Sequence, residues 1–223
     1  MEKTDQTLSF SEKCTLFLTR NQKVLVGILA ALCVTVAGAF IYAFFGSHTA
    51  QNASEAIETV ITDWMELYTK KPEDLATQED ALATLLETKA QEYAHTYAAF
   101  RAYSVLGEIF TLRKDWNKAL DYYEKAAEVL PHAYTAGIAY FNAAVCADEM
   151  QQFEKSLHFY TLSAQIEDFP LKPRALFNIG RTEEALSHSD KAIEAYTKLE
   201  STYPDNSWAL LGKSRIIALT LHN

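Results

Sequence analysis

Glycine and proline are scarce, seven and five in 223 residues, where shares of about 7% and 5% are usual. Sheets of short strands need frequent turns, and turns draw on these two residues, so a β-sandwich or barrel is excluded. Cysteine is nearly absent. Cys14, Cys33 and Cys146 lie too far apart for a disulfide framework or a thiolate zinc site. The six histidines, His48, His95, His132, His158, His188 and His222, contain no i, i+4 pair and no metal-ligand spacing. Phosphate-cradling glycine loops, nucleophile elbows and neighbouring Cys/His dyads are missing too. Basic residues form no stripe and the net charge is −9, which argues against nucleic acid as a partner, because phosphate contact needs clustered Lys and Arg. No catalysis, metal or cofactor is expected.

Alanine, by contrast, is abundant at 32 residues. Alanine favours helix, and few breakers interrupt it. The expected fold class is all-α. Cys146 falls at helical spacing among Ala143, Ala144 and Ala147, as a small core residue would. Pairs such as Asp148-Glu149 and Glu183-Glu184 read as the solvated face of helices in an acidic domain.

One segment departs from a soluble pattern. The 22 residues Val24 to Phe45 carry no charge, and only Thr35 and Tyr42 bear hydroxyls. At 1.5 Å per residue they span roughly 33 Å, enough for a hydrocarbon core of about 30 Å. Thr35 can return its hydroxyl to the preceding turn. Phe40, Tyr42, Phe44 and Phe45 gather at one end as an interfacial belt. The run exceeds a cleavable signal's apolar region, and His48-Thr49-Ala50 is a poor cleavage site. Leu32 is too bulky for lipoprotein processing at Cys33. The expectation is an uncleaved anchor over 24–45. Lys3, Lys13, Arg20 and Lys23 precede it, and the next basic residue is Lys70. That bias predicts a cytoplasmic tail at 1–23 and an extracytoplasmic domain beyond. Residues 46–223 hold 16 Lys/Arg against 26 Asp/Glu, a balance that keeps a domain off anionic lipid.

The outer part repeats. Tyr103, Leu106, Gly107, Phe110, Ala119, Tyr123, Ala126 and Pro131 are echoed by Leu176, Ile179, Gly180, Ala192, Tyr196, Leu199 and Pro204. From the glycine, the small residue, the aromatic and the proline lie 12, 16 and 24 positions on in both. Tyr140, Ala143, Ala144, Ser156, Tyr160 and Ser163 hold the spacing more loosely, with Pro170 two positions late. Trp208, Leu211 and Gly212 begin a fourth unit. Each unit reads as two antiparallel helices, with small residues allowing close approach, aromatics filling the space between pairs and the proline ending the second helix. One pair cannot bury its apolar face, so the units must stack into a curved solenoid.

Upstream, Ala56, Val60, Trp64, Leu67 and Tyr68 share a helix face. Lys71-Pro72-Glu73-Asp74 breaks it, and Leu82, Leu85, Leu86, Ala90 and Tyr93 give a second helix. Residues 46–96 are therefore expected to form a degenerate pair or cap, followed by three units and a capping helix over 97–223. In that last helix, Ile216, Ile217, Leu219 and Leu221 either contact a partner or cover the preceding pair, and covering is expected.

This pattern closely resembles the tetratricopeptide repeat, with its 34-residue unit, over about residues 100–221. It departs at Ala144 for glycine, at Glu183 for an aromatic, and in a 32-residue step to the last helix. The resemblance implies a groove for extended or helical peptides, lined by the first helix of each unit. Carried over, its positions are Arg101, Ser104 and Glu108, then Ile138, Phe141, Asn142 and Val145, then Arg174, Phe177, Asn178 and Arg181. Phe141 and Phe177 fit either the groove floor or the core between units. Asn142 can hydrogen-bond a peptide backbone in either sense. Some family members grip a C-terminal carboxylate; Asn142 and Arg174 match two of their five positions, whereas Ser104, Glu108 and Asn178 do not, and Glu108 would repel that ligand.

A basic tail, an anchor and an outward solenoid resemble the bacterial inner-membrane, YfgM-like tetratricopeptide proteins that accompany the Sec translocon and periplasmic chaperones. The entry Phe17-x-x-x-Asn21-x-Lys23-x-Leu25 is similar to that family's. The resemblance implies a scaffold that hands emerging envelope proteins to chaperones, located in the inner membrane with its domain in the periplasm. An assembly factor for an outer-membrane, secretion or division complex is one alternative. An organelle import receptor with a cytosolic solenoid is another.

Overall fold

Some of the helices begin where a short polar side chain takes up a free amide group. Ser9 and Glu12 form a reciprocal capping box, Thr96 accepts from the Ala99 amide and Asp115 from that of Lys118, each satisfying a donor that the first turn leaves open. The computed structural model describes residues 9–221; Lys3 and His222 lie outside them. Among the described residues ten helices follow in order: α1 (Phe10–Arg20), α2 (Gln22–Lys70), α3 (Pro72–Glu92), α4 (Tyr97–Leu112), α5 (Trp116–Val129), α6 (Tyr134–Glu149), α7 (Phe153–Gln165), α8 (Lys172–Ala185), α9 (Ser189–Thr202) and α10 (Ser207–Leu221). No strand occurs among the described residues. The fold is all-α.

The chain divides into two units, Met1–Thr49 and Ala50–Asn223. In the first, α2 is long and apolar enough to cross a membrane, and its apolar side chains from Val26 to Phe45 stand exposed. Thr35 donates to the Leu32 carbonyl at 2.8 Å, so its hydroxyl is satisfied within the helix. Helix α1 was not anticipated in the tail. Nor does Gly46 end α2; within the continuing helix, Ser47 and Thr49 return their hydroxyls to the Phe44 and Phe45 carbonyls.

In the second unit, each helix packs on the next from α3 to α10, and α4 also meets α6 and α8 meets α10. The stretch of α2 beyond residue 50 belongs to the first core, where Ala53, Ile57, Val60, Ile61 and Trp64 meet Leu86, Ala90, Leu106 and Ile109. Of the expected faces, Val60, Trp64, Leu67, Leu86 and Ala90 are buried; Ile57 and Ile61 widen the first face, while Tyr68 and Leu85 are exposed. A polar brace fixes this first pair. Trp64 Nε1 donates to Glu79 at 2.9 Å, and Arg113 donates to Glu79 and Asp80, each at 2.7 Å.

The glycine spacing is explained by two rings. A Cβ on Gly107 would lie 2.6 Å from Tyr123 Cε1, and one on Gly180 would lie 2.7 Å from Tyr196 Cδ1. The tyrosine therefore sits on the glycine of its own unit; Tyr196 also faces Gly212 of the next helix. Ala144 stands at this place in the middle unit. It shares the middle core with Tyr160, which packs edge-on against Phe141 at 5.3 Å, as Tyr196 packs on Phe177 at 5.5 Å in the next unit. The late Pro170 has a similar cause. The longer α7–α8 connection tucks Phe169 into the core, 3% exposed, against Gly137 and Phe141.

The turn inside each unit repeats without glycine. Lys114, Gln151 and Ser187 have φ of 57°, 58° and 63°. The following amides of Asp115, Gln152 and His188 bond to Phe110, Ala147 and Glu183 carbonyls at 2.9 Å, closing a Schellman motif. A non-glycine residue in this left-handed conformation costs about 1–2 kcal/mol. Glycine's extra freedom in the unfolded chain returns about 0.4–1 kcal/mol of that. Ser187→Gly is expected to stabilise the domain by about 0.5–1 kcal/mol, read as a higher chemical-denaturation midpoint; an unchanged or lower midpoint contradicts the assignment.

Glu183 replaces the expected aromatic for a reason visible at the same turn. It is 8% exposed, and its carboxylate meets His188 Nδ1 at 2.8 Å, joining the end of α8 to the start of α9. The last helix covers its neighbours through Trp208, Ala209 and Gly212, and of the expected isoleucines and leucines only Ile216 and Leu219 are half-buried. Ile217 and Leu221 remain 54% and 79% exposed.

Candidate functional site

Helices α4, α6 and α8 are the first members of their pairs, and their polar and half-buried residues recur at intervals set by the turns. A cleft of about 410 Å³ opens between α4 and α6. Arg101, Ser104 and Glu108 line one side, Ile138 and Asn142 the other. These are the residues that spacing had brought together. Sequence reasoning did not include Tyr97 and Phe100, which add an aromatic edge.

The charges in the cleft are sorted by their partners. Arg101 makes a fork to Glu58 of α2, at 2.5 and 3.0 Å, and that bond holds its guanidinium above the ordinary value. It braces α2 against α4 and is no longer an open cation. Arg181 is tied to Asp148 of α6 by a single contact, from Nη2 to Oδ2. Glu108 is exposed and has no ion-pair partner among the described residues. The α4–α6 cleft therefore offers a carboxylate to a basic group and repels an acidic one.

Asn142 and Asn178 are half-buried, and neither side-chain amide has a hydrogen bond among the described residues. An amide free in a half-desolvated cleft can both donate to and accept from a peptide group. Arg174 on α8 is exposed, with its guanidinium 5.1 Å from the Phe141 ring and 5.5 Å from the Trp208 ring. Two aromatic faces hold it in position without neutralising it. Phe177 lies half-buried against Tyr196 and Trp208, at 5.5 and 5.2 Å. Val145 is half-buried beside the middle core.

Phe141 belongs elsewhere. At 4% exposure, it packs on Tyr160 and Phe169, so its ring is core and its contact with the open face is made through Arg174. Nothing in the spacing could separate the two uses; the signal lay in the two extra residues before Pro170, which deliver Phe169 to it.

The remaining chemistry is structural. Cys146 is 1% exposed, and burial pushes its thiol up to about 11, which leaves it protonated and inert at neutral pH. Among the described residues, no three His, Cys, Asp or Glu side chains are grouped to hold a metal. Glu184 accepts from Tyr196 Oη at 2.6 Å and from Arg215 of α10 at 3.0 Å. The Arg215 bond, above all, lowers its carboxyl below 4.5. A folded-state value below the unfolded one contributes stability above pH 4.5, which is lost as pH falls through the lowered value. Hydrogen exchange of α10 is expected to rise in that acid window, and Glu184→Gln to flatten the response. An α10 insensitive to acid in the unmodified protein contradicts it.

Known proteins give a consistent match. The tetratricopeptide-repeat profile matches residues 174–206, which hold α8 and α9. A tetratricopeptide-repeat-containing protein of Treponema pallidum (strain Nichols) is 36% identical over 222 aligned positions, covering 92% of each chain. Among solved structures, a tetratricopeptide repeat protein from Parabacteroides merdae superposes with a TM-score of 0.57 at 20% identity, over 75% of this chain and 61% of that one. At that identity the likeness concerns the fold.

Proposed function

Because the chain belongs to the tetratricopeptide-repeat protein family, we propose that the face built by α4, α6 and α8 receives a segment of another polypeptide. The observation that carries this reading is the set of unengaged groups on it, Asn142, Asn178, Glu108 and Arg174, beside a cleft of about 410 Å³. Fixed amides and charges of both signs suit a peptide backbone with mixed side chains. Such a face needs no prior ordering of its own, and the cost of ordering falls on the ligand.

The apolar stretch of α2 supports the second half of the proposal, that the protein is a membrane-anchored scaffold. Val24 to Phe45 crosses the inner membrane, with Arg20 and Lys23 on the cytoplasmic side and the repeat domain in the periplasm. Tethering raises the local concentration of the face at the membrane, so modest affinity suffices. The role is accessory to protein translocation or to chaperone hand-off.

The test uses the full chain. Asn142→Ala with Asn178→Ala removes two hydrogen bonds worth about 1 kcal/mol each, so co-purified polypeptides are expected to fall roughly tenfold or more. The thermal melt should scarcely move. Retention of the same polypeptides by the double variant contradicts the face. Carbonate-washed membranes should keep the protein, and protease added to spheroplasts should remove the repeat domain; release by carbonate, or full protection, contradicts the anchoring or its direction.

A further inference from the structure

The proposed anchor leaves one feature of the first unit unexplained, the helix α1 ahead of it. Phe10, Cys14, Phe17 and Leu18 fall within a roughly 100° arc of that helix. All four are exposed, Phe10 at 84% and Phe17 at 59%. Lys13 and Arg20, seven residues apart, border the arc on one side. The acidic group of the first turn is already engaged, since Glu12 accepts from the Ser9 amide at 2.8 Å. Beyond Arg20 a single residue separates α1 from α2. Asn21 leaves helical geometry there, with φ −106° and ψ 11°, and its side-chain amide bonds to the Phe17 carbonyl at 2.8 Å.

We propose that α1 is an interfacial helix, its Phe10–Cys14–Phe17–Leu18 stripe seated in the headgroup layer of the membrane that α2 crosses. This rests on reading α2 as a span. A one-residue joint keeps α1 at the surface where the span enters, and an apolar arc beside two cations fits an anionic leaflet. Water would leave the stripe uncovered; lipid covers it and pairs Lys13 and Arg20 with phosphate. The break in helical geometry at Asn21 is the joint at which α1 can turn onto the surface.

The full chain carrying Cys146→Ala tests this in vesicles of phosphatidylethanolamine and phosphatidylglycerol. An environment-sensitive fluorophore is placed singly at Cys14, at Cys33, or at Thr19→Cys on the opposite side of α1, the unused cysteines being replaced by alanine. The Cys14 probe should shift to the blue, lose quenching by iodide, and be quenched by lipid doxyl groups about 5–10 Å deep. The Thr19→Cys probe should stay open to iodide, and the Cys33 probe should be shielded. Equal iodide quenching at Cys14 and Thr19→Cys, with Cys33 shielded, overturns the interfacial helix and leaves the anchor intact. Iodide reaching Cys33 overturns the span, and the interfacial helix with it.

Discussion

Phe141→Ala is expected to cost about 3–5 kcal/mol, the range for removing a buried phenylalanine ring, against a total stability of about 5–15 kcal/mol for a typical domain. The ring is 4% exposed and touches three layers at once, Tyr160 of α7, Phe169 of the α7–α8 connection and Arg174 of α8. Truncation leaves a cavity that these neighbours cannot close together, because Gly137 already lies against Phe169. In a stack where each pair contacts only its neighbours, the damage should be local. Amides of α6 to α8 should exchange faster, while those of α3 and α4 keep their protection. Phe177→Ala is the comparison. Its ring is half-buried, so a smaller loss is expected; equal losses from the two variants would contradict the separation of core and face.

The second large effect concerns the glycines. Gly180→Ala is expected to destabilise by about 1–3 kcal/mol, the usual cost of forcing extra volume into a packed site. Alanine is the better helix former by about 1 kcal/mol, so the sign depends on whether the neighbour can move. At Gly180 it cannot. Tyr196 is fully buried, with its hydroxyl held by Glu184 at 2.6 Å. At Gly107 the Tyr123 ring is slightly farther and 7% exposed, and a smaller loss is expected. At Gly212 the nearest ring atom would be 3.3 Å from the new methyl, a gap that a slight shift relieves, so Gly212→Ala should be near neutral or stabilising. Denaturant midpoints should rank Gly180→Ala lowest, then Gly107→Ala, then Gly212→Ala. Any other order would contradict the ring-on-glycine packing.

The repeat was legible because close packing leaves a strict sequence trace. A ring on a backbone demands glycine, and the facing helix demands a small residue 12 positions on, at Ala119 and Ala192. Helix faces were legible only to within part of a turn. Apolar residues around the 53–68 segment cover a broad arc, so Tyr68 was assigned to the core while Ile57 and Ile61 were overlooked. Helix α1 leaves only a faint trace in the sequence because its stripe is short, although Ser9 and Glu12 hold the spacing of a capping box.

The site was legible to a different extent. The register of α4, α6 and α8 follows from the repeat, so the positions that meet at the cleft could be named in advance. What those residues do there depends on partners remote in sequence. Glu58 is 43 residues from Arg101, and Asp148 is 33 from Arg181. No local pattern announces that these two arginines are spent on bracing helices while Arg174 stands between two rings. Unpaired charge and free amides are properties of the folded face.

Photo-crosslinking in intact membranes tests most directly whether that face binds polypeptide. A photoreactive residue at Glu108, on the open side of the cleft, is compared with one at His158, exposed on α7. Adducts with other polypeptides should form from position 108 and fade when Asn142 and Asn178 are both alanine, while position 158 stays nearly silent. Equal adducts from both positions, or none from 108 in cells where the protein is folded and membrane-bound, would contradict it.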